Sequence, residues 1–221
     1  MVNSPQLLFI AGPNGAGKST FSKDLSHSDA LIFDPDKETA IIAQRFANLP
    51  KESIRYAFQQ HFEDFVELAI RNKRSFVIET NFRDHSLMDT AYRFKTNGYE
   101  TSMLYLVLRG IPESTDRVTH RVANGGHYID DNSILYNYNE GLKNLEYFAG
   151  RFDNLEILNA SGNYLQLKSL LSIQKQKLVF LSSDLPEWIR DLIERIASRF
   201  PDNSLNREDD KEIERPRGPR R

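Results

Sequence analysis

The stretch Gly12-Pro13-Asn14-Gly15-Ala16-Gly17-Lys18-Ser19-Thr20 constrains this chain more than any other, because it follows directly on an apolar run at residues 7–11. It satisfies the pattern GxxxxGK[ST], and it lies where that pattern works, between a strand and the start of a helix. The glycines let the backbone curl, so that successive N–H groups and the helix N-terminus face a phosphate chain. Lys18 then reaches the outer phosphates as a point charge, and the Ser19 hydroxyl is placed for Mg²⁺. The expected ligand is ATP or GTP.

A phosphate loop of this kind requires a parallel sheet behind it. The apolar run at 7–11 reads as a strand buried on both faces, and similar runs recur at 30–33, 76–78, 103–108 and 155–158. Helical periodicity fills the intervals. Residues 37–72 read as two helices split at Leu49-Pro50, with Phe58, Phe62, Phe65 and Ala69 on one core-facing stripe. Further helices are expected from about Asp84 to Asn97-Gly98, from Pro112 to Asn124-Gly125-Gly126, over 131–148 and over 186–200. A small strand pair is expected within 165–182. The predicted class is therefore α/β: a three-layer P-loop NTPase fold with a mostly parallel central sheet, plus a small C-terminal strand pair and helix. The expected division is a P-loop kinase domain at 1–160, a C-terminal extension packed on it at 161–200, and a disordered charged tail at 201–221.

Charge and cysteine usage narrow the classes of partner. With 221 residues, 39% hydrophobic and 27% charged, the chain has the composition of one globular domain with extensions. A net charge of −2 gives no field that would gather a phosphate backbone, so no nucleic-acid partner is expected. The absence of cysteine excludes a thiolate nucleophile and cysteine-built metal sites. The apolar run at the N-terminus is too short for a signal peptide or a membrane span, which points to the cytoplasm and away from a membrane.

Several charged residues fall where strands end. Asp34-Pro35-Asp36 follows the second strand at the C-terminal sheet edge, where ligands of open α/β folds bind. Asp36 is a candidate general base for an acceptor hydroxyl, a support for magnesium, or a cap for the next helix. Glu79-Thr80-Asn81 closes the third strand at the same edge, aiming a carboxylate at the metal or at the acceptor. Arg117 and Arg121 are four apart on one helix face, and Arg109 ends the fourth strand. A guanidinium closing over the site would stabilise charge on a transferring phosphoryl group. His127 has no metal-ligand companions at useful spacing, so it is read as a hydrogen-bonding residue of its loop.

Taken in order, Phe33-Asp34-Pro35-Asp36, Phe76-Val77-Ile78-Glu79-Thr80, Arg121-Val122-Ala123-Asn124-Gly125-Gly126-His127 and Glu140-Gly141-Leu142-Lys143-Asn144-Leu145 make the chain resemble the zeta toxin family of P-loop kinases over roughly residues 6–160. The resemblance implies a kinase that phosphorylates a sugar hydroxyl of UDP-N-acetylglucosamine and so disturbs cell-wall precursor supply. Lys18 and Ser19 would bind nucleotide phosphates and Mg²⁺, Asp36 would be the base, Glu79 and Thr80 would meet the acceptor, and Arg121 would be a lid arginine. Any inhibitor is expected to be a separate antitoxin protein. Family members commonly carry arginines in the helix after Gly-Gly-His, where this chain has Leu135-Tyr136-Asn137-Tyr138. A second lid cation would then come from Arg117, Arg109 or Lys143, or the acceptor differs, or transfer is weak. The rival readings are a nucleoside, nucleotide or polynucleotide kinase, and a nucleotide-binding, toxin-like regulator whose catalysis is weak or lost.

Overall fold

The computed structural model describes residues 4–25, 30–162, 166–201 and 212–214. Five strands form a parallel sheet in the order β2-β3-β1-β4-β5: β1 is Gln6–Ala11, β2 Leu31–Phe33, β3 Phe76–Thr80, β4 Glu100–Val107 and β5 Asn154–Asn159. The strand pair expected after β5 extends this same sheet. β6 (Gln166–Gln174) runs antiparallel to β5, and β7 (Lys177–Leu181) runs antiparallel to β6. Part of the expected tail is ordered into the sheet as well. Glu212–Glu214 forms β8, pairing with Gln166–Lys168 of β6, which corrects the expectation of disorder for those three residues. The rest of the expected tail beyond Pro201 lies outside the described residues.

Alternation along the strands gives the sheet two apolar faces. Phe9, Phe76, Ile78, Tyr105, Val107 and Ile157 face one core, shared with Val66 and Ala69, Phe94, Leu145 and Ile193 from four helices. These helices are α3 (Lys51–Asn72), α4 (Leu87–Thr96), α6 (Asp131–Phe148) and α7 (Glu187–Ala197). Ile10, Val77, Leu104, Leu106 and Leu158 face the other core, with Phe21 of α1 (Lys18–Leu25) and Ala16 of the loop. Among the described residues the two remaining α-helices are α2 (Pro35–Arg45) and α5 (Ile111–Ala123). The aromatic stripe of α3 does pack inward: Phe58, Phe62 and Phe65 each meet Phe33 edge-on, with ring centroids 5.6, 4.9 and 5.5 Å apart. Edge-to-face contacts of this kind add about 0.5–1.5 kcal/mol each beyond simple burial. They fix the end of β2, and with it Asp34.

β1 lies between β3 and β4; the chain leaves β1 toward β2 on one side of the sheet order and leaves β4 toward β5 on the other. A crevice therefore opens at the carboxyl ends of the strands beside it, the position at which this class of fold binds ligands. Gly12 begins the turn out of β1 at φ 142°, and a Cβ there would lie 2.4 Å from the Leu106 carbonyl oxygen. Only glycine lets β1 leave the sheet this close to β4.

Candidate active site

The loop from Gly12 to Thr20 wraps the N-terminus of α1, whose first-turn N–H groups lack partners within the helix. Lys18 Nζ donates to the carbonyls of Gly12 (2.8 Å) and Pro13 (3.0 Å) and to Asn81 Oδ1 (2.7 Å). Loss of water around the ammonium holds the Lys18 pKa down to about 8, and the nearby Arg121 pushes the same way. Asp36, Glu79 and Asp34 pull against both. An ammonium so placed gains from an anion that replaces its lost hydration.

Glu79 is almost completely buried at the end of β3. It accepts from Ser19 Oγ (2.6 Å) and from Ser22 Oγ, two hydroxyls one turn apart on α1. A hydroxyl and a carboxylate in direct contact are oxygen donors suited to Mg²⁺. Among the described residues no group of three or more His, Cys, Asp or Glu forms a metal cage. Magnesium bound with nucleotide takes only one or two protein oxygens and completes its shell with phosphate and water, so Ser19 and Glu79 fit it. Ser22 was not singled out in the sequence; its spacing of three from Ser19 was the available signal.

At the end of β2, Asp34 caps α2 by accepting from the N–H groups of Asp36 (3.1 Å) and Lys37 (3.4 Å), and it pairs with Lys37 Nζ at 3.3 Å. Capping thus falls to Asp34, not Asp36. The Asp36 carboxylate is left on the first turn of α2, lining a cavity of about 870 Å³ together with Lys18, Ser19, Glu79, Thr80 and Asn81. The far wall is Phe58 and Phe62 of α3, and the mouth carries Arg55 and Tyr128.

Of the residues expected to meet the acceptor, Thr80 faces the cavity while its Oγ1 accepts from the Phe82 N–H at 2.8 Å. Asn81 faces it too, with its amide oxygen on Lys18. His127 lines the cavity, and its carbonyl accepts from Arg121 Nη2 at 2.9 Å. The Arg121 Nε is buried and, among the described residues, has no hydrogen-bond acceptor. A buried guanidinium donor without a partner, close to Lys18, suits an anion as its missing acceptor.

Arg117 requires a correction. It does not reach the cavity; its side chain is buried behind the loop. Nη2 donates to Glu113 Oε1 (2.6 Å) and the Ala160 carbonyl (2.8 Å), and longer contacts run to the carbonyls of Gly15 and Gly162. Beside it, Ser114 Oγ donates to the Asn14 carbonyl at 2.6 Å. Burial pushes the Glu113 carboxyl up, but hydrogen bonds from Ser161, Gly162 and Arg109, with the Arg117 charge, outweigh that and hold it below the usual range. The other two candidates for a second cation do not line the cavity either: Arg109 is exposed just after β4, its backbone N–H donating to Glu113 and Ser161, and the exposed Lys143 pairs with Glu140 at 2.6 Å.

Besides Lys18, two cations among the described residues line the cavity, Arg55 of α3 and Arg83 after β3, and of these Arg83, which the sequence reading passed over, is linked to the phosphate loop. Its Nη1 donates to Asn137 Oδ1 (2.9 Å), and Asn137 Nδ2 donates in turn to Asn14 Oδ1 of the phosphate loop (2.8 Å). The available signal was an arginine two residues past Asn81 at the ligand-binding edge of the sheet.

Comparison with known proteins agrees with this geometry. The family model described as zeta toxin matches residues 2–169. A protein of Haemophilus influenzae described as uncharacterized is 25% identical over 131 residues, 59% of this chain and 91% of its own length. Among solved structures, a chain from the PezAT chromosomal toxin-antitoxin system of Streptococcus pneumoniae superposes with a TM-score of 0.56 at 17% identity, covering 89% of this chain and 85% of that one. A chain of the AvrRxo1-ORF1:-ORF2 complex with ATP gives a TM-score of 0.62 at 14% identity, covering 88% of this chain and 64% of that one. At these identities the structures establish a shared fold.

Proposed function

The chain belongs to the zeta toxin family, and from that premise we propose that it is an ATP-dependent small-molecule kinase transferring a phosphoryl group to a hydroxyl of a UDP-amino sugar or a related metabolite. The observation that carries the reading is the convergence on one cavity of Lys18, the Ser19–Glu79 pair and an Asp36 carboxylate released from capping by Asp34. The AvrRxo1 complex, which shares the fold, was solved with ATP, and this supports ATP as the donor here.

In the proposed reaction the loop N–H groups and Lys18 hold the donor phosphates, and Arg121 supplies its free Nε to the same anion. Asp36 accepts the proton of the acceptor hydroxyl as that oxygen attacks the γ-phosphorus, and ADP leaves with the electron pair of the broken P–O bond. Ser19 and the Glu79 carboxylate bonded to it would hold Mg²⁺, which would supply neutralisation of charge on the phosphate oxygens. Phe58 and Phe62 offer apolar surface to the acceptor, while Thr80 and His127 offer hydrogen bonds. The occurrence of a related fold in a toxin-antitoxin system favours a separate antitoxin protein as a partner. Among the described residues no helix is long and apolar enough to cross a membrane.

The test is transfer from γ-labelled ATP with Mg²⁺ to UDP-N-acetylglucosamine, run beside nucleosides and other hydroxyl-bearing metabolites. Label is expected on the UDP-sugar and is expected to vanish in Lys18→Ala. A purified protein that binds ATP and labels none of these acceptors is not a kinase of this class. Label on nucleosides alone would transfer the assignment to the nucleoside kinase rival.

A further inference from the structure

We propose that Arg83, held by an amide relay from the phosphate loop, is a catalytic residue that stabilises the transferring phosphoryl group. The inference rests on the kinase reading and adds a residue to it. Three features of the segment after β3 point this way.

The first is the relay itself. Asn14 and Asn137 are both almost completely buried, and their side-chain amides are joined at 2.8 Å. Asn137 therefore has a fixed orientation, with its oxygen turned to Arg83 Nη1 at 2.9 Å. A long, exposed side chain is thereby tied to the loop that carries the phosphates. Arginine held in this way loses little further freedom when an anion arrives.

The second is the backbone between Asn81 and Arg83. Phe82 is a completely buried aromatic residue at φ 54°, a left-handed conformation that non-glycine residues rarely adopt. Its N–H is held by Thr80 Oγ1 and its carbonyl by Asn144 Nδ2, both at 2.8 Å. Helix α6 presses against this turn at Gly141, where a Cβ would lie 2.5 Å from the Asn81 carbonyl oxygen. The turn sends the two flanking side chains to the same target. Asn81 meets Lys18 Nζ, and Arg83 meets the relay that ends on Asn14.

The third is charge. Arg117, behind the loop, is neutralised by Glu113, whereas among the described residues Arg83 is bonded to a neutral amide and pairs with no carboxylate. It lines the cavity shared with Lys18 and Asp36, so its charge is available to an anion forming between donor and acceptor. As the acceptor oxygen bonds to the γ-phosphorus and the bond to the ADP oxygen breaks, negative charge spreads over the equatorial oxygens and the leaving oxygen. A planar fork of N–H donors on the open side of the group meets that charge. Asn137 and Asn14 are positioning residues that act through Arg83.

Binding of ADP with Mg²⁺ and aluminium fluoride, a mimic of the transferring group, tests this without an identified acceptor. Wild type is expected to bind ADP more tightly when aluminium fluoride is added. Arg83→Ala is expected to lose about 10²-fold of that gain while its affinity for ADP alone stays within about twofold. Adding Asn137→Arg to Arg83→Ala restores a guanidinium from α6 and is expected to recover much of the gain. If Arg83→Ala keeps the full gain, the proposal is overturned and the kinase reading stands. If Arg83→Ala and Arg83→Lys both lose ADP and the mimic in equal proportion, Arg83 is part of the scaffold and the proposal is likewise overturned. Wild type that gains nothing from aluminium fluoride overturns the kinase reading and the proposal together.

Discussion

Arg117 lies against the phosphate loop away from the cavity, Arg83 lines the cavity and is linked to the loop through Asn137, and their surroundings differ in kind. Behind the loop, Arg117 is buried and donates to a carboxylate and to the carbonyls of Ala160, Gly15 and Gly162. In front, Arg121 keeps a buried Nε with no acceptor among the described residues, Lys18 has a depressed pKa, and Arg83 rests on an amide. Satisfied charge locks a structure, whereas incompletely satisfied charge raises the affinity for whatever completes it. The rear of the loop is thus built for stability and the front for an anion. Substitutions on the two sides should separate in what they change.

The largest stability effect is expected behind the loop. Arg117→Ala removes a buried guanidinium that bonds both Glu113 and the Ala160 carbonyl and should cost about 3 kcal/mol, a fall in Tm of roughly 10 °C by thermal melting. If Arg117→Ala melts like wild type but loses transfer, the assignment of that side to stability is broken. Gly12→Ala follows, since its Cβ would collide with the Leu106 carbonyl oxygen. A loss of about 1–3 kcal/mol is expected, with weaker ATP binding as the loop shifts, measured by melting and titration calorimetry.

A smaller effect is expected from pH. The free protein holds Lys18 at about 8, below its ordinary value, whereas a bound phosphate needs the charged form and raises the pKa again. ADP affinity should therefore be nearly complete at pH 7 and below, about half of that at pH 8 and about tenfold lower at pH 9, with proton uptake on binding visible as a buffer-dependent heat. Affinity that stays flat to pH 10 would mean that the front-side lysine is not poised in this way. The smallest effect is expected at Lys143, which pairs with Glu140 on the surface. Lys143→Ala should change stability by less than about 0.5 kcal/mol and leave transfer intact, whereas a large loss of transfer would restore it as a lid cation.

The two sides were unequally legible in the sequence. The loop, Asp36 and Glu79 could be read because their meaning is local: a glycine pattern after a strand, and carboxylates where apolar strands end. Arg117 and Arg121 were rightly placed on one helix face, but that says nothing of position along the axis. Four residues advance about 6 Å, enough for one guanidinium to meet the rear of the loop and the other to reach past it toward Gly126 and His127. Arg83 had only its place near the end of β3 to mark it, because its role depends on Asn137, 54 residues away, and on Asn14, a further long-range contact. The same locality explains the parallel strands, each marked by a short, mainly apolar run. The pairing of Glu212–Glu214 with β6 joins segments over 40 residues apart, and no apolar pattern marks it.

Single-turnover transfer from bound γ-labelled ATP by Asp36→Asn tests the account most directly. With Asp34 capping α2, the change leaves the helix and the loop in place, so ATP affinity and Tm should match wild type while transfer slows on the order of 10²- to 10⁴-fold. Transfer at the wild-type rate would contradict the account and remove Asp36 from the chemistry.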